Sequence, residues 1–139
     1  MQVVVQVVIA IAVVVGAVGL GLFLRKRQQV AAPTQPSRAI PAQLDRADFE
    51  PSTQWLVAVF SSATCDTCAD VARKAAVLQS PSVGVVEIEY GAHRALHKKY
   101  DIQAVPIVVI ADSEGIVRAG FAGPVTAEDL WGALADVRD

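Results

Sequence analysis

Cysteine is scarce in this sequence of 139 residues. Only two cysteines occur, Cys65 and Cys68, and two residues separate them. Buried structural cysteines would more often be scattered, and a disulfide between these two closes too short a loop to constrain the chain much. A purely structural role is therefore disfavoured for the pair.

Basic charge is deficient in the larger part of the chain. Residues 40–139 carry 8 basic against 14 acidic side chains, a balance of −6, whereas the whole chain has a net charge of −2. A domain with this balance lacks the basic surface that nucleic-acid binding requires, so we expect no nucleic-acid partner. The length suits one domain with an accessory segment.

Charge is absent altogether from residues 1–24, which are also strongly apolar. Within them, residues 3–24 contain a single polar side chain, Gln6. At about 1.5 Å per residue, a helix of this length crosses the roughly 30 Å hydrocarbon core of a bilayer. A buried soluble helix rarely has such a run, and a cleaved signal peptide would need a basic segment before a shorter apolar core. We therefore predict a retained transmembrane anchor over residues 1–24.

Basic residues follow the predicted anchor at once, beginning with Arg25, Lys26 and Arg27. Small, polar and proline residues without periodicity come next, so we predict a basic, proline-containing linker over residues 25–40. We expect a single-pass protein of a bacterial plasma membrane, and the positive-inside rule favours a cytoplasmic location for its soluble domain, residues 41–139. An extracytoplasmic domain is the alternative.

The remaining residues alternate between strand and helix patterns. Segments with the periodicity of one or the other are residues 55–60, 68–78, 83–90, 92–100, 106–121 and 126–137. The first is a short, continuous apolar run, which is typical of a strand buried on both faces. The order strand, helix, strand, helix, hairpin, helix predicts an α/β fold with a parallel strand pair joined by a crossover helix and an antiparallel edge.

The cysteine pair opens the first of these helices, directly after the buried strand. The thiolate is the nucleophile of disulfide exchange, and the N–H groups and dipole of a helix N-terminus stabilise it. Cys65, at the mouth of the helix, is therefore predicted to attack, and Cys68, one turn deeper, to resolve the mixed disulfide. Asp66 acts in the opposite sense, because a neighbouring carboxylate raises the pKa of a thiol. This favours a reductant or mild exchanger over a strong oxidant.

A zinc site is the main competing interpretation. His93 and His97 stand four residues apart and would complete a Cys2His2 set with the two cysteines. However, a whole helix and strand separate Cys68 from His93, far more than in a zinc finger, and a core of this size needs no metal to fold. We therefore expect no metal, and we predict that both histidines are solvated helix residues.

The region from Pro41 to the C-terminus resembles thioredoxin. The similarity rests on WLVAVFSSATCDTC (55–68), YDIQAVPIVVI (100–110) and RAGFAG (118–123), in matching order and spacing. The resemblance implies a thioredoxin-like fold, a mixed central sheet flanked by helices, here preceded by one transmembrane helix. It further implies that Pro106 follows a cis bond and faces the cysteines, and that the backbone of Val105 pairs with the substrate chain.

Several positions near the cysteines depart from the thioredoxin pattern. Thr64 stands where thioredoxins have a tryptophan before the first cysteine, and Asp66-Thr67 stand where they have Gly-Pro between the cysteines. Val59 replaces the buried aspartate that assists proton transfer, and Glu87 replaces the nearby lysine. Glu87 is consequently a possible proton acceptor for Cys68. The alternative is that Glu87 only marks a solvated strand end.

These features predict a membrane-tethered thioredoxin-like oxidoreductase, more specifically a reductase, that exchanges thiols and disulfides on a protein substrate. Its only redox group would be the reversible disulfide of Cys65 and Cys68, with no separate cofactor. The expected partners are that substrate, an electron donor that the sequence does not identify, and the membrane through residues 3–24. The alternative is a non-catalytic thioredoxin-fold binding module, or the zinc-holding domain.

The position of the basic cluster predicts which side of the membrane the domain occupies. After mild reduction of intact cells, a membrane-impermeant thiol reagent should leave Cys65 unlabelled, because the predicted cytoplasmic domain is shielded by the bilayer. The same reagent should label Cys65 once the cells are permeabilised. Labelling of Cys65 from outside intact cells would contradict the predicted orientation.

Overall fold

The computed structural model describes residues 1–29, 40–50 and 52–139. These residues form two units, an N-terminal helix and a C-terminal α/β unit. The N-terminal helix, α1, spans Gln2–Gln29. It continues through the basic cluster, whereas the anchor was predicted to end at residue 24. The rest of the predicted linker, residues 30–39, lies outside the described residues, and the predicted domain boundaries stay predictions.

Helix α1 contains the apolar run that we predicted as an anchor. Its segment Gln2–Leu20 is long and apolar enough to cross a membrane, and none of its most apolar window is buried. This length and composition are those of a membrane span and also of a signal sequence.

The α/β unit contains the strands and helices that the sequence periodicity predicts. In chain order they are β1 Trp55–Ser61, α2 Asp66–Ala76, β2 Val83–Glu89, α3 Arg94–Lys99, β3 Ile107–Ala111, β4 Val117–Ala122 and α4 Ala127–Arg138. The strands form one sheet in the order β2-β1-β3-β4. Strand β2 is parallel to β1, while β1 with β3 and β3 with β4 are antiparallel. The predicted parallel pair with an antiparallel edge is thus confirmed.

Strand β1 separates the two cores of this unit. All seven of its residues are buried, and alternate side chains of a strand point to opposite faces of the sheet. On one face, Val57 and Val59 pack with buried residues of α2 and α4. On the other face, Leu56 and Phe60 pack with residues of α3 and of the segment before β1.

Helices α2 and α4 cover the first face because each has one apolar side. Val71 and Ala75 of α2 are fully buried, as is Leu130 of α4. Thr126 and Asp129 have the sequence spacing of a capping box, and helix α4 begins there: the Thr126 hydroxyl oxygen accepts a hydrogen bond of 3.1 Å from the Asp129 N–H. This cap satisfies one of the N–H groups that a helix N-terminus leaves without an intrahelical partner.

Helix α3 covers the second face, and one prediction about it is wrong. His93 is exposed as predicted, but His97 is buried, with only 3% of its surface exposed. The His97 Nε2 atom lies 2.8 Å from the Ile88 carbonyl oxygen, and the imidazole ring meets Phe60 and Tyr90 edge-on, each at 5.3 Å. The ring combines an apolar body with a polar tip, so it fills this core position while hydrogen-bonding a buried carbonyl.

The buried position of His97 predicts a large difference between the two histidines. His97→Ala should lower the free energy of unfolding by about 2–3 kcal/mol, because it leaves a cavity and removes the partner of the Ile88 carbonyl. Urea unfolding of the full chain in detergent, with the disulfide intact, measures this value. His93→Ala, at the exposed N-cap of the same helix, is the matched control and should change it by less than about 0.5 kcal/mol. Equal effects of the two substitutions would contradict the burial of His97.

Candidate functional site

Four chain segments meet at one edge of the sheet, namely the edge that is formed by the ends of strands and not by an outer strand. Strands β1, β2 and β4 end at this edge, and β3 begins there, because β1 is parallel to β2 and antiparallel to β3. Phe60 near the end of β1 lies opposite Ile107 at the start of β3. The loop that leads from β1 into the cysteine pair therefore lies beside the segment that holds Val105 and Pro106.

The cysteine pair occupies the mouth of α2, as predicted. Cys65 and Cys68 form a disulfide with their Cα atoms 5.2 Å apart. Cys65 is the N-cap of the helix, and its Sγ atom accepts a hydrogen bond of 3.1 Å from the Cys68 N–H. After reduction, the same N–H group and the helix dipole would stabilise a thiolate on Cys65.

The two sulfur-bearing residues differ in accessibility. Cys65 is partly exposed, whereas Cys68 is only 1% exposed and lies on the buried side of α2. A group arriving from solvent therefore reaches Cys65 first. Burial also disfavours the charged form of a thiol, so the environment of Cys68 works against a thiolate there.

The segment before β3 presents backbone groups at the same edge. The Val105–Pro106 peptide bond is cis, as the resemblance to thioredoxin implied. Pro106 is buried, and its carbonyl oxygen accepts a hydrogen bond of 2.8 Å from the Gly123 N–H. Among the described residues, no hydrogen bond uses the backbone of Val105, which is partly exposed. The N–H and C=O of Val105 are thus available to an extended chain.

Glu87 lies on β2 opposite Val59, on the face of the sheet that α2 covers. Its side chain is exposed, and its Oε1 atom accepts a hydrogen bond of 2.6 Å from the hydroxyl group of Ser61. Ser61 is itself buried, with 1% of its surface exposed, and it is the last residue of β1 before the cysteine loop. Ser61 therefore links Glu87 to the start of this loop. The role of Glu87 as a proton acceptor stays a prediction.

Glu89 is a further residue of this edge, which the sequence analysis missed. Its carboxylate accepts hydrogen bonds from the backbone N–H groups of Gly91 at 2.8 Å, Ala92 at 2.9 Å and Ala63 at 3.2 Å. The bonds from Gly91 and Ala92, together with that from Ala63, hold the pKa of Glu89 below its ordinary value. Because Ala63 belongs to the loop before Cys65, Glu89 joins this loop to the one after β2.

The alternation of side chains along β2 is the sequence feature that could have identified Glu89 as a residue of this site. Glu87 and Glu89 stand two residues apart in a strand, so both lie on the α2 face. A Cβ atom at Gly91 would lie 2.9 Å from the Glu89 Oε2 atom, so a side chain at this position would require the carboxylate to shift. Which amides the carboxylate would meet depends on how the two loops fold, and a strand pattern carries no information about that.

The competing zinc interpretation finds no support in this arrangement. Cys68 lies under α2 on one face of the sheet, whereas His97 packs against Phe60 on the other face. In the part of the chain that the structure describes, no three His, Cys, Asp or Glu side chains come together as metal ligands would. The two cysteines and two histidines therefore do not converge on a common centre.

Comparison with solved structures shows that the fold is thioredoxin-like. A mutant thioredoxin from Halobacterium salinarum NRC-1 matches with a TM-score of 0.54 and 20% identity, over 60% of this chain and 74% of that chain. A malarial protein matches with a TM-score of 0.55 and 15% identity, over 60% of this chain and 97% of that chain. No protein-family model and no curated protein matches the sequence. These matches establish the fold, and the disulfide between Cys65 and Cys68 is a feature of this chain's own structure.

The hydrogen bonds to Glu89 predict a pH-dependent contribution to stability. A carboxylate whose pKa is lowered by folding contributes stability above its unfolded pKa of about 4.3, and this contribution disappears as the pH falls through the folded pKa. Glu89→Gln should therefore be less stable than the wild-type protein at neutral pH, and the difference should shrink below about pH 4. Urea unfolding at a series of pH values measures the difference.

A charge-matched control separates this effect from the loss of one negative charge. Glu114→Gln removes a carboxylate from the exposed turn between β3 and β4, where the effect on stability should be small. If the deficit of Glu89→Gln does not vary with pH, the three backbone N–H groups do not hold the carboxylate as described.

Proposed function

We propose that this protein is a membrane-tethered thiol–disulfide oxidoreductase that acts on disulfides of a protein partner. The observation that carries the proposal is the disulfide at the N-terminus of α2, with partly exposed Cys65 at the helix mouth and buried Cys68 one turn deeper. This arrangement pairs an accessible nucleophile with a protected second thiol. The thioredoxin-like fold of the α/β unit agrees with this chemistry.

The first step is attack by reduced Cys65. Its thiolate attacks one sulfur of the substrate disulfide, forms a mixed disulfide and releases the other substrate sulfur as a thiolate. The Cys68 N–H, which faces the Cys65 Sγ atom at 3.1 Å, stabilises the attacking thiolate. The free backbone groups of Val105 hold the substrate segment in extended form beside the cysteine loop.

The second step resolves the mixed disulfide. Cys68 loses its proton and attacks the Cys65 Sγ atom, which forms the Cys65–Cys68 disulfide and releases the second substrate sulfur. The substrate gains two electrons and the cysteine pair loses two, so no separate cofactor takes part. A second reductant must then restore the two thiols, and this electron donor is the second partner of the cycle.

Glu87 is the proposed acceptor of the Cys68 proton. Its carboxylate is linked to the buried end of β1 by the Ser61 hydroxyl group, and it lies on the face of the sheet that α2 covers. A carboxylate that is open to solvent can pass the proton to water. Glu87 thereby replaces the buried aspartate of thioredoxins, whose position is taken here by Val59.

The proposed direction is reduction of the substrate, at a bacterial plasma membrane. Asp66 is exposed beside Cys65, and its negative charge disfavours the thiolate that a strong oxidant would stabilise. The apolar segment Gln2–Leu20 supports the tether, and the basic residues after it support a cytoplasmic domain. A membrane anchor would restrict the substrates to proteins that reach the membrane surface.

The different accessibilities of the two cysteines predict different trapping behaviour. Cys68→Ser should accumulate a stable mixed disulfide between Cys65 and a protein partner, because the resolving thiol is missing. Cys65→Ser should accumulate little, because the remaining thiol is buried. Non-reducing electrophoresis of membranes from cells that express each variant, before and after reductant, measures the adducts. The double variant is the control for nonspecific crosslinks.

Two outcomes would contradict the proposal. Equal trapping by the two single variants would contradict the assignment of Cys65 as the attacking residue and Cys68 as the resolving residue. Absence of adducts with both variants would favour a non-catalytic binding module, and bound zinc in the purified protein would favour the metal-holding alternative.

A further inference from the structure

A cleft lies directly beside the segment that precedes β3. It consists of two cavities of about 280 and 360 Å³. The residues that line both are Tyr90, His97, Ile102 and Gln103, so the cavities adjoin each other. The smaller cavity reaches Val105. We call the combined space the Tyr90 cleft.

The Tyr90 ring, which forms one wall of the cleft, packs against the buried core of the α/β unit. Tyr90 is 49% exposed, and its ring meets the buried ring of His97 edge-on at 5.3 Å. His97 is in turn hydrogen-bonded to the Ile88 carbonyl oxygen. The guanidinium group of Arg94 lies 5.5 Å from the centre of the Tyr90 ring, a favourable cation–π contact. The aromatic wall thus places a cation at the rim of the cleft.

The charge at the cleft is opposite to that of the unit as a whole. Arg94 and Lys98 both line the larger cavity, and neither forms an ion pair within the described ranges of the chain. Asp101 lines it as well, with its carboxylate accepting a hydrogen bond from the Gln103 side-chain amide, so two positive charges face one negative charge in this cavity. Two cations without carboxylate partners, in a region with a balance of −6, are complementary to a negative ligand group.

We propose that the Tyr90 cleft binds an aspartate or glutamate side chain of the protein substrate, a few residues from its target cysteine. This inference rests on the proposed function. A substrate segment that pairs with the Val105 backbone continues along Ala104 and Gln103, and it advances by about 3.3 Å per residue. A few residues therefore bring a substrate side chain from the cysteine pair to the cleft. Its aliphatic part contacts Tyr90 and its carboxylate meets Arg94 and Lys98.

Peptide probes with the full chain in detergent test the selectivity. Each peptide has blocked ends and one cysteine, joined to thionitrobenzoate as a mixed disulfide. Three otherwise identical peptides are compared. The several residues on each side of the cysteine are all glutamate in the first, all glutamine in the second and all lysine in the third. Absorbance of the released thionitrobenzoate gives the rate with the reduced protein, and the rate with mercaptoethanol corrects for intrinsic peptide reactivity. At low salt the glutamate peptide should react about fivefold faster than the lysine peptide, and added salt should reduce this ratio.

Charge-reversal variants assign the preference to the cleft. Arg94→Glu and Lys98→Glu should each lower the glutamate-to-lysine ratio, and the double variant should reverse it. Arg138→Glu is the matched control, because it makes the same change in net charge on α4, which packs on the opposite face of the sheet from α3. This variant should keep the wild-type ratio.

The possible failures are distinguishable. If the wild-type protein reacts equally with the glutamate and lysine peptides, the Tyr90 cleft is not an acidic-residue site, although exchange itself is established. If Arg138→Glu lowers the ratio as much as Arg94→Glu, the preference comes from overall charge and the cleft assignment is overturned. If no peptide reacts with the reduced protein, the proposed function fails and the inference fails with it.

Discussion

The burial of β1 along its whole length is the constraint on which the rest of the α/β unit depends. A strand with neighbours on both sides and no exposed face must have all its backbone groups paired and both of its surfaces covered. Helices α2 and α4 cover one surface, and α3 with the segment before β1 covers the other. Where β1 ends, the chain leaves the sheet between β2 and β3, and this places the cysteine pair among three other chain segments.

Most of this arrangement could be predicted because its signals are local. The apolar run of β1, the cysteine pair at a helix start and the capping pattern at Thr126 each lie within a few residues of sequence. Their physical causes, namely side-chain periodicity and the unpaired N–H groups of a helix N-terminus, act over the same short distance. The observed elements accordingly begin and end close to the predicted positions.

The incorrect and missed residues depend instead on contacts between distant parts of the chain. His97 looked like a solvated helix residue because α3 is too short to show which of its sides faces the sheet. The hydrogen bond from Ser61 to Glu87 requires the register of β1 against β2. The bonds to Glu89 require the conformations of two loops. Sequence periodicity records which face of an element is apolar, but it does not record which partner each polar group finds.

The different depths of the two sulfurs also determine how the site responds to an oxidant such as a peroxide. Such a molecule reaches Cys65 before the buried Cys68 and converts its thiolate to a sulfenic acid. The Cys68 thiol is one helical turn away and condenses with this sulfenic acid to a disulfide, with loss of water. Further oxidation to the irreversible sulfinic acid is thereby avoided. In the proposed exchange reaction, the same difference in depth would therefore protect the attacking thiolate of Cys65 from permanent chemical damage.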